Sequence, residues 1–468
     1  MAPLACGMDQ MPFEPDLLRR YDRPGPRYTS YPTAPQFSSA FGEAELKDAV
    51  QLSNGDPIPR RLSLYVHVPF CNSPCFYCGC NRVITRDAAR GREYLGHLLR
   101  EIELVASLFD RDREVIQLHL GGGTPNFLSP QQLQALVDAL RRSFRFSDAV
   151  DRDLSIELDP RFLAPDDVRQ LAACGFNRAS LGVQDFDPEV QKAVNRIQSV
   201  QETLAIIQAC RDSGMRSVNV DLIYGLPLQA LDGFGRTLDI VTAARPDRVA
   251  VYGYAHLPAM FKAQRQIVDA QLPSPALKLD LLRLAIERLT AAGYVYIGMD
   301  HFALPGDELA LAQARGGLHR NFMGYTTHAD SDLVGLGVSA ISHIGDTFSQ
   351  NPRDLPGWQA RLDQGQLPVW RGMALSADDV IRADVIQSLM CQGEVSIRAV
   401  ERRHGIRFSD YFAGSMQRMG ELQADGLVRV GTDSIEVTER GRLLLRVVAA
   451  CFDAYLQAPT VVPLSRVI

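Results

Sequence analysis

The stretch YVHVPFCNSPCFYCGCNRVITR (65–86) decides the fold. It opens as apolar strand text and runs into Cys71, Cys75 and Cys78 in C-x3-C-x2-C spacing, with Cys80 two residues further on. Iron-sulfur cubes are held by thiolates, and three closely spaced thiolates on one loop can hold three irons while the fourth stays open. An open metal position is where a substrate binds, which separates catalytic metal sites from closed structural ones. Zinc held by all four cysteines is the competing reading, but one short loop is a poor tetrahedral cage, because zinc sites usually draw on two separated ligand pairs.

Downstream of this loop, short apolar strand candidates alternate with helical stretches, the pattern of a parallel sheet built from βα units. The strands are expected at 62–68, 115–120, 154–158, 178–182, 217–223 and 248–254. Each runs into a polar or glycine-rich phrase: HVPFC, GGGTP, ELDP, GVQDF, DLIYGLP and YAHLP. In α/β barrels functional side chains converge on the loops leaving the C-terminal strand ends, so the pattern predicts a partial (β/α)6 barrel with its ligands across one rim.

Composition fits a soluble intracellular enzyme. A chain of 468 residues, 46% hydrophobic and 22% charged, can bury a large core and is expected to form more than one domain. Nine cysteines, four of them on one loop, argue against a disulfide framework and for a reducing compartment. The opening MAPLACGMDQMPFEPD lacks a basic segment followed by an apolar core, and no apolar run reaches membrane-spanning length. A cytoplasmic location with no membrane partner is expected. The net charge of -6 opposes broad nucleic-acid binding, which rests on phosphate neutralisation.

Past about residue 350 the texture changes. Pro352, Pro356, Gly357, Gly365 and Pro368 read as a connector, followed by an amphipathic helix with Ile381, Val385 and Leu389 on one face. A second helix is expected over 409–424, a hairpin from LVRV and SIEV about Gly431-Thr432-Asp433, and a last helix capped by Thr438 and running through Leu456. Helix, helix, hairpin, helix is similar to a winged helix, but without a basic stripe it reads as a packing lid. The expected division is an N-terminal arm and substrate-contacting segment (1–60), a catalytic barrel (61–350) and a mostly helical C-terminal domain (351–468).

With an aromatic, Tyr77, before its last cysteine, the C-x3-C-x2-C loop resembles that of the radical S-adenosylmethionine enzymes. PGPRYTSYPTA (24–34), the cysteine loop, LHLGGGTPNFL, SIELDPR, SLGVQDF, VNVDLIYGLP, YAHLP, IGMDHFA, HRNFMGYTTHADSDLVGLGVSAIS and the terminal SRVI, taken in order, resemble the oxygen-independent coproporphyrinogen III oxidase family of haem biosynthesis. The resemblance implies that two propionates of coproporphyrinogen III lose carbon dioxide and hydrogen to become the vinyls of protoporphyrinogen IX. The β carbon-hydrogen bond is too weakly acidic for a side-chain base. A reduced 4Fe-4S cluster instead cleaves S-adenosylmethionine to a 5'-deoxyadenosyl radical that takes the hydrogen, while the protein orients and shields the reactants.

Position by position, the resemblance implies cluster ligation by Cys71, Cys75 and Cys78, with Cys80 not a ligand. It implies two S-adenosylmethionine molecules. One would be held by Tyr65, Gly122, Glu157 and Ile341, its neighbour by Tyr77, Gly123, Thr124, Gln184, Arg196, Asp221 and Ala255. These residue types suit a zwitterionic nucleoside ligand. Bare glycine backbone at 121–123 lets a ligand approach, Arg196 can clamp a carboxylate, and Glu157 and Asp221 can accept from an amine or ribose. A buried, satisfied network at a strand end is the plainer explanation of each.

Arg27, Tyr28, Tyr31 and Arg320 are the candidates for substrate contact; Lys262 and Arg265 are further cations for the propionates, and His67, His256 and His301 candidate proton relays. A low-potential electron donor and a monomeric state are expected. GLGVSA (335–340) matches a dinucleotide fingerprint, with Asp354 about twenty residues on. Its context is expected to fail, since no strong strand precedes it and Asn351-Pro352 stands where a second strand should run. Two rival functions remain: a radical enzyme with another substrate, and a haem-binding chaperone on the same fold, against which CGCN and the YTSYPT arm speak.

Overall fold

The computed structural model describes residues 12–457 and 466. MAPLACGMDQM and, apart from Arg466, the terminal SRVI lie outside the described residues. The six expected strands are all present: β1 (Arg61–Val68), β2 (Glu114–Gly122), β3 (Asp153–Leu158), β4 (Arg178–Gln184), β5 (Ser217–Tyr224) and β6 (Arg248–Gly253). They pair in parallel, each with the next in that order.

Strand alternation explains what each face does. In β1, Leu62, Leu64, Val66 and Val68 are fully buried toward the outer helices, so Tyr65 and His67, one position out of phase, take the opposite face. Helices follow the strands, among them Ala88–Ala106, Pro130–Ser143, Val200–Asp212, Leu231–Ala244 and Pro275–Ala291. The first of these is fastened at its start by Asp87, whose carboxylate accepts from the Ala89 N–H at 2.9 Å.

The barrel is open: β1 and β6 do not pair, and the sheet continues beyond both. Next to β6 lie the antiparallel β7 (Val295–Gly298) and β8 (His301–Ala303). Next to β1 lies β9 (Ser331–Leu336), parallel to it, then the antiparallel β10 (Ile341–Ile344), β11 (Thr347–Gln350) and β12 (Arg371–Ala374). With Arg145–Phe146 beside β2, the sheet has 13 strands among the described residues. The boundary expected at residue 350 therefore falls between two strands of one sheet.

Two expectations are corrected here. A strand, β9, does precede GLGVSA, and β11 ends just before Asn351; the segment after β9 turns into the antiparallel β10, however, where a dinucleotide fold needs a helix N-terminus. The expected connector also carries structure. Asp354 caps a helix, Leu355–Asp363, accepting from the Gly357 N–H at 2.8 Å, and Trp358 on that helix is wholly buried. Pro356 starts that helix, a position where its missing N–H costs nothing.

Farther on, helix Ala377–Gln392 buries Ile381, Val385 and Leu389 as expected. Then come strand Glu394–Ser396, helices Ile397–His404, Phe408–Tyr411 and Ala413–Ala424, and the hairpin Val428–Val430 with Ser434–Val437. The hairpin and Glu394–Ser396 form one small sheet, as in a winged helix. Thr438 caps a 3-10 turn that leads into a helix ending at Ala450, short of the expected Leu456. The arm packs onto this region, Arg440 donating to Glu14 and Arg20 to Asp425.

Candidate active site

The cysteine loop leaves β1 and folds over the C-terminal strand ends. Cys71 and Cys75 are buried, Cys78 is half-buried and Cys80 is exposed. Each of the three triad sulfurs faces donors. Thr124 Oγ1 lies 3.4 Å from Cys71 Sγ, Arg196 Nη1 and Arg161 Nη2 lie 3.5 and 3.6 Å from Cys75 Sγ, and the Cys80 N–H donates to Cys78 Sγ at 3.4 Å. The Cys80 thiol beside it holds the Cys78 thiol below its usual range, whereas burial pushes Cys71 up to about 11. Among the described residues no three His, Cys, Asp or Glu side chains close on one point. A cube asks for something else, one thiolate on each of three irons.

The glycine loop follows from close approach. At Gly122, with φ +114°, a Cβ would sit 2.6 Å from the His67 ring, and at Gly123 it would sit 2.7 Å from the Pro69 backbone. The Gly122 N–H donates to Glu157 Oε2 at 3.0 Å, and His119 Nε2 lies 3.4 Å from Oε1. Burial would raise the Glu157 carboxyl, but His119 and this N–H hold it below its usual range. Its side chain is nonetheless 44% accessible, because it faces an internal cavity.

Tyr65 stands beside this group. Its ring stacks on His119 at 5.9 Å, and its hydroxyl lies 3.0 Å from His67 Nδ1. His67 Nε2 is 2.9 Å from the Asn81 carbonyl, which can only accept; Nε2 therefore carries the proton and Nδ1 accepts from Tyr65. Ile341 begins β10 against Gly335, whose strand position pairs with Tyr65. Tyr65, Gly122, Glu157 and Ile341 thus share one end of the rim.

The second group spans β4 to β6. Arg196 is buried, donates to the Gly182 carbonyl at 2.5 Å and to Asp159 at 3.3 and 3.4 Å, and leaves Nε without a partner. Gln184 has left-handed backbone, φ 68°, and a buried Oε1 with no partner. Strain and unmet polar atoms at one spot are marks of a ligand site. Asp221 accepts from Asn219 at 2.8 Å and Ser180 at 3.2 Å, yet burial and then the Glu157 charge push it up to about 6. Gln264 ties Tyr77 to Ala255, its Nε2 donating to the Tyr77 carbonyl at 2.9 Å and to that of Ala255 at 3.2 Å.

Between the two groups, the barrel encloses a cavity of about 150 Å³ lined by His119, Glu157, Asp221, Tyr252, His301 and Tyr325, among others. Arg27 reaches its edge, 5.7 Å over the Tyr252 ring and paired with Asp300 at 2.6 Å. Arg446 fixes this part of the arm by donating to the Gly25 carbonyl and, at 2.8 Å, to that of Pro26. Arg320 is 6% exposed and sits 4.8 Å over the Tyr325 ring. Among the described residues it forms no ion pair, and its Nε and Nη1 have no hydrogen-bond partner.

Of the expected substrate contacts, Tyr28 and Tyr31 lie apart from this group. Both are buried against the C-terminal segment, the Tyr28 hydroxyl donating to Asp453 at 2.9 Å and that of Tyr31 accepting from the Ala454 N–H at 3.0 Å. Of the relay candidates, His301 lines the cavity, His67 is held as described, and His256 lies between Tyr254 and Asp269. Lys262 and Arg265 belong to a 3-10 turn after β6. Sequence reasoning misses His119, Asp159, Arg161 and Gln264. The first three sit in or beside strand-end motifs where inward alternation could have found them; Gln264 carries no such signal.

Against known proteins, residues 65–241 match the Radical SAM superfamily and residues 375–444 the HemN C-terminal domain. The oxygen-independent coproporphyrinogen III oxidase of Pseudomonas aeruginosa is 51% identical over 461 residues, 98% of this chain and 100% of that one. The chain belongs to the oxygen-independent coproporphyrinogen III oxidase family. The protein of the same name from Escherichia coli is 48% identical over 462 residues, again 98% of this chain and 100% of its own, and that of Synechocystis sp. 43% over 449 residues, 95% and 96%. A solved structure described as coproporphyrinogen III oxidase (HemN) from Escherichia coli, a radical SAM enzyme, superposes with a TM-score of 0.90 over 96% of this chain and 100% of that one, at 48% identity.

Membership of the Radical SAM superfamily implies a 4Fe-4S cluster and S-adenosylmethionine. The residues fit both. Buried thiols ringed by N–H and O–H donors are a home for thiolates bound to metal. Arg196 and Gln184, with orphaned polar atoms beside them, can hold a zwitterionic ligand. No helix among the described residues is long and apolar enough to cross a membrane.

Proposed function

We propose that this chain converts coproporphyrinogen III to protoporphyrinogen IX without oxygen, by oxidative decarboxylation of two propionates. The observation that carries the reading is a triad of thiols, each facing a donor, at the strand ends of a barrel that also holds, over the Tyr325 ring of its cavity, a buried guanidinium with no ion pair among the described residues. Cys71, Cys75 and Cys78 would hold the cluster. Tyr65, Gly122, Glu157 and Ile341 would bind one S-adenosylmethionine, and Tyr77, Gly123, Thr124, Gln184, Arg196, Asp221 and Ala255 a second. When bound, these groups supply one-electron cleavage of a carbon-sulfur bond and a carbon radical able to take a propionate β hydrogen.

The chain's own part is to bind and orient. Thr124, Arg161, Arg196 and the Cys80 N–H donate toward sulfur and lower its charge, which favours the reduced cluster. Glu157, held ionised, accepts from an ammonium or ribose hydroxyls; Arg196, its terminal nitrogens held by Asp159 and Gly182, offers its unmet Nε–H to a carboxylate. Arg27 and Arg320 offset propionate charge in a chain that is acidic overall. A low-potential electron donor is required from outside, and we expect a monomer working in the cytoplasm.

Anaerobic incubation of the reconstituted protein with reductant, S-adenosylmethionine and coproporphyrinogen III tests this. Protoporphyrinogen and 5'-deoxyadenosine should form together, and Ala at Cys71, Cys75 or Cys78 should abolish both, while Cys80→Ala retains the cluster. Tight haem binding with no turnover would favour a haem chaperone instead.

A further inference from the structure

His301 and Tyr325 line the cavity, and Arg320 lies behind them over the Tyr325 ring. His301 follows a two-residue turn, Met299-Asp300, in which both residues have positive φ, 43° and 74°. Turns of this kind normally carry Asn-Gly, so the chain accepts strain here to set the ring that follows. His301 Nδ1 lies 2.7 Å from the Met299 carbonyl and must donate to it, which leaves Nε2 as a bare lone pair. Nε2 makes no hydrogen bond among the described residues, and the ring lines the cavity, held edge-on between Tyr252 at 5.7 Å and Tyr325 at 5.4 Å.

Arg320, on the short strand His319–Asn321, faces Tyr325 of the antiparallel strand Gly324–Thr326 and stacks 4.8 Å over its ring. A second cation beside this guanidinium would be repelled, so the imidazole stays neutral; burial and Arg320 together depress it to about 4. A proton relay near neutral pH is therefore the wrong role for His301. The two residues that contact the Tyr325 ring thus present one lone pair and, on a cation, unmet N–H groups. Leaving such groups buried and unpaired is costly, and a ligand that satisfies both removes that cost.

We infer that His301 Nε2 accepts a pyrrole N–H while Arg320 takes a propionate carboxylate, so that the pair reads one pyrrole-propionate unit of the substrate. The inference rests on the coproporphyrinogen reading and adds to it a specificity residue and a division of labour. A neutral acceptor suits a pyrrole N–H, and a planar fork suits a carboxylate. Neither residue is among those proposed for S-adenosylmethionine.

The test compares His301→Phe, which keeps the ring contacts and removes the lone pair, with Arg320→Met, using His301→Gln and Arg320→Lys as partial rescues. Binding of coproporphyrinogen III in the absence of S-adenosylmethionine is measured by anaerobic equilibrium dialysis, beside turnover. His301→Phe should weaken binding about tenfold and Arg320→Met about a hundredfold, with S-adenosylmethionine affinity unchanged. The tetramethyl ester of the substrate keeps the N–H groups and lacks the carboxylates. As a competitive inhibitor it should respond to His301→Phe and not to Arg320→Met. Unchanged coproporphyrinogen binding in folded His301→Phe and His301→Gln, or equal sensitivity of acid and ester to Arg320→Met, would overturn the inference. Failure of the wild-type protein to decarboxylate would overturn the reading beneath it.

Discussion

At the amino-terminal ends of the strands, Arg113 donates to Asp332 at 2.6 Å, both side chains 1% exposed, and further to Asn54 and the Arg60 carbonyl. Arg248 there pairs with Asp307 at 2.9 Å and Glu308 at 3.0 Å. Arg320, buried almost as deeply over the Tyr325 ring, forms no ion pair among the described residues. In the cavity itself the Asp221 carboxyl is pushed up by burial and then by Glu157. Buried charge that is matched within the chain belongs to the fold, and buried charge left unmatched is held for a ligand. Removing one partner of a matched pair strands the other, whereas removing an unmatched charge relieves the protein.

The largest expected effect follows at the matched end. Arg113→Met leaves Asp332 buried without its guanidinium and should cost about 3–5 kcal/mol, read as a drop in the unfolding midpoint. Survival with unchanged stability would break the comparison at its firmer side. Arg196 is intermediate, since Asp159 keeps Arg161 at 2.6 Å when Arg196 is removed. Arg196→Ala should cost about 2 kcal/mol in stability and weaken S-adenosylmethionine binding; stability loss with normal binding would assign it to the fold alone.

Asp221 sharpens the contrast through pH. Its folded value, about 6, lies above the ordinary 3.8, so between those values the folded protein holds a proton that the unfolded chain has released. Stability from this group therefore falls as pH rises through the window, and the full cost stands above about 6. Asp221→Asn should raise stability at pH 7 by about 1–2 kcal/mol, lose that gain near pH 4, and weaken cofactor binding. Denaturant midpoints across pH 4 to 8 check it; a variant less stable at pH 7 would contradict it.

The same contrast explains what the sequence made legible. The six barrel strands are apolar runs that stop at a motif, and each appears within two residues of its expected bounds. Strand β9 starts on Ser331 and Asp332 and contains Gly335, so its edge pairing with β1 is invisible until the partner is in place. Pro356 reads as a breaker in a string and acts as a helix start once Asp354 caps it. The residues proposed for the cofactors sit in dense phrases at strand ends, where local text and tertiary placement agree. Tyr28 and Tyr31 read as substrate contacts in the sequence because their partners, Asp453 and Ala454, lie more than 420 residues away. Gln264 joins two loops by hydrogen bonds that no local pattern announces.

The smallest expected change in stability is the most informative. Arg320→Met and Arg113→Met should be unfolded side by side, with coproporphyrinogen III and S-adenosylmethionine binding measured on the folded Arg320→Met protein. The account predicts that Arg320→Met keeps its unfolding free energy within about 1 kcal/mol of wild type, or gains, binds S-adenosylmethionine normally and loses coproporphyrinogen. A fall in stability as large as that of Arg113→Met, or undiminished coproporphyrinogen binding, would contradict it.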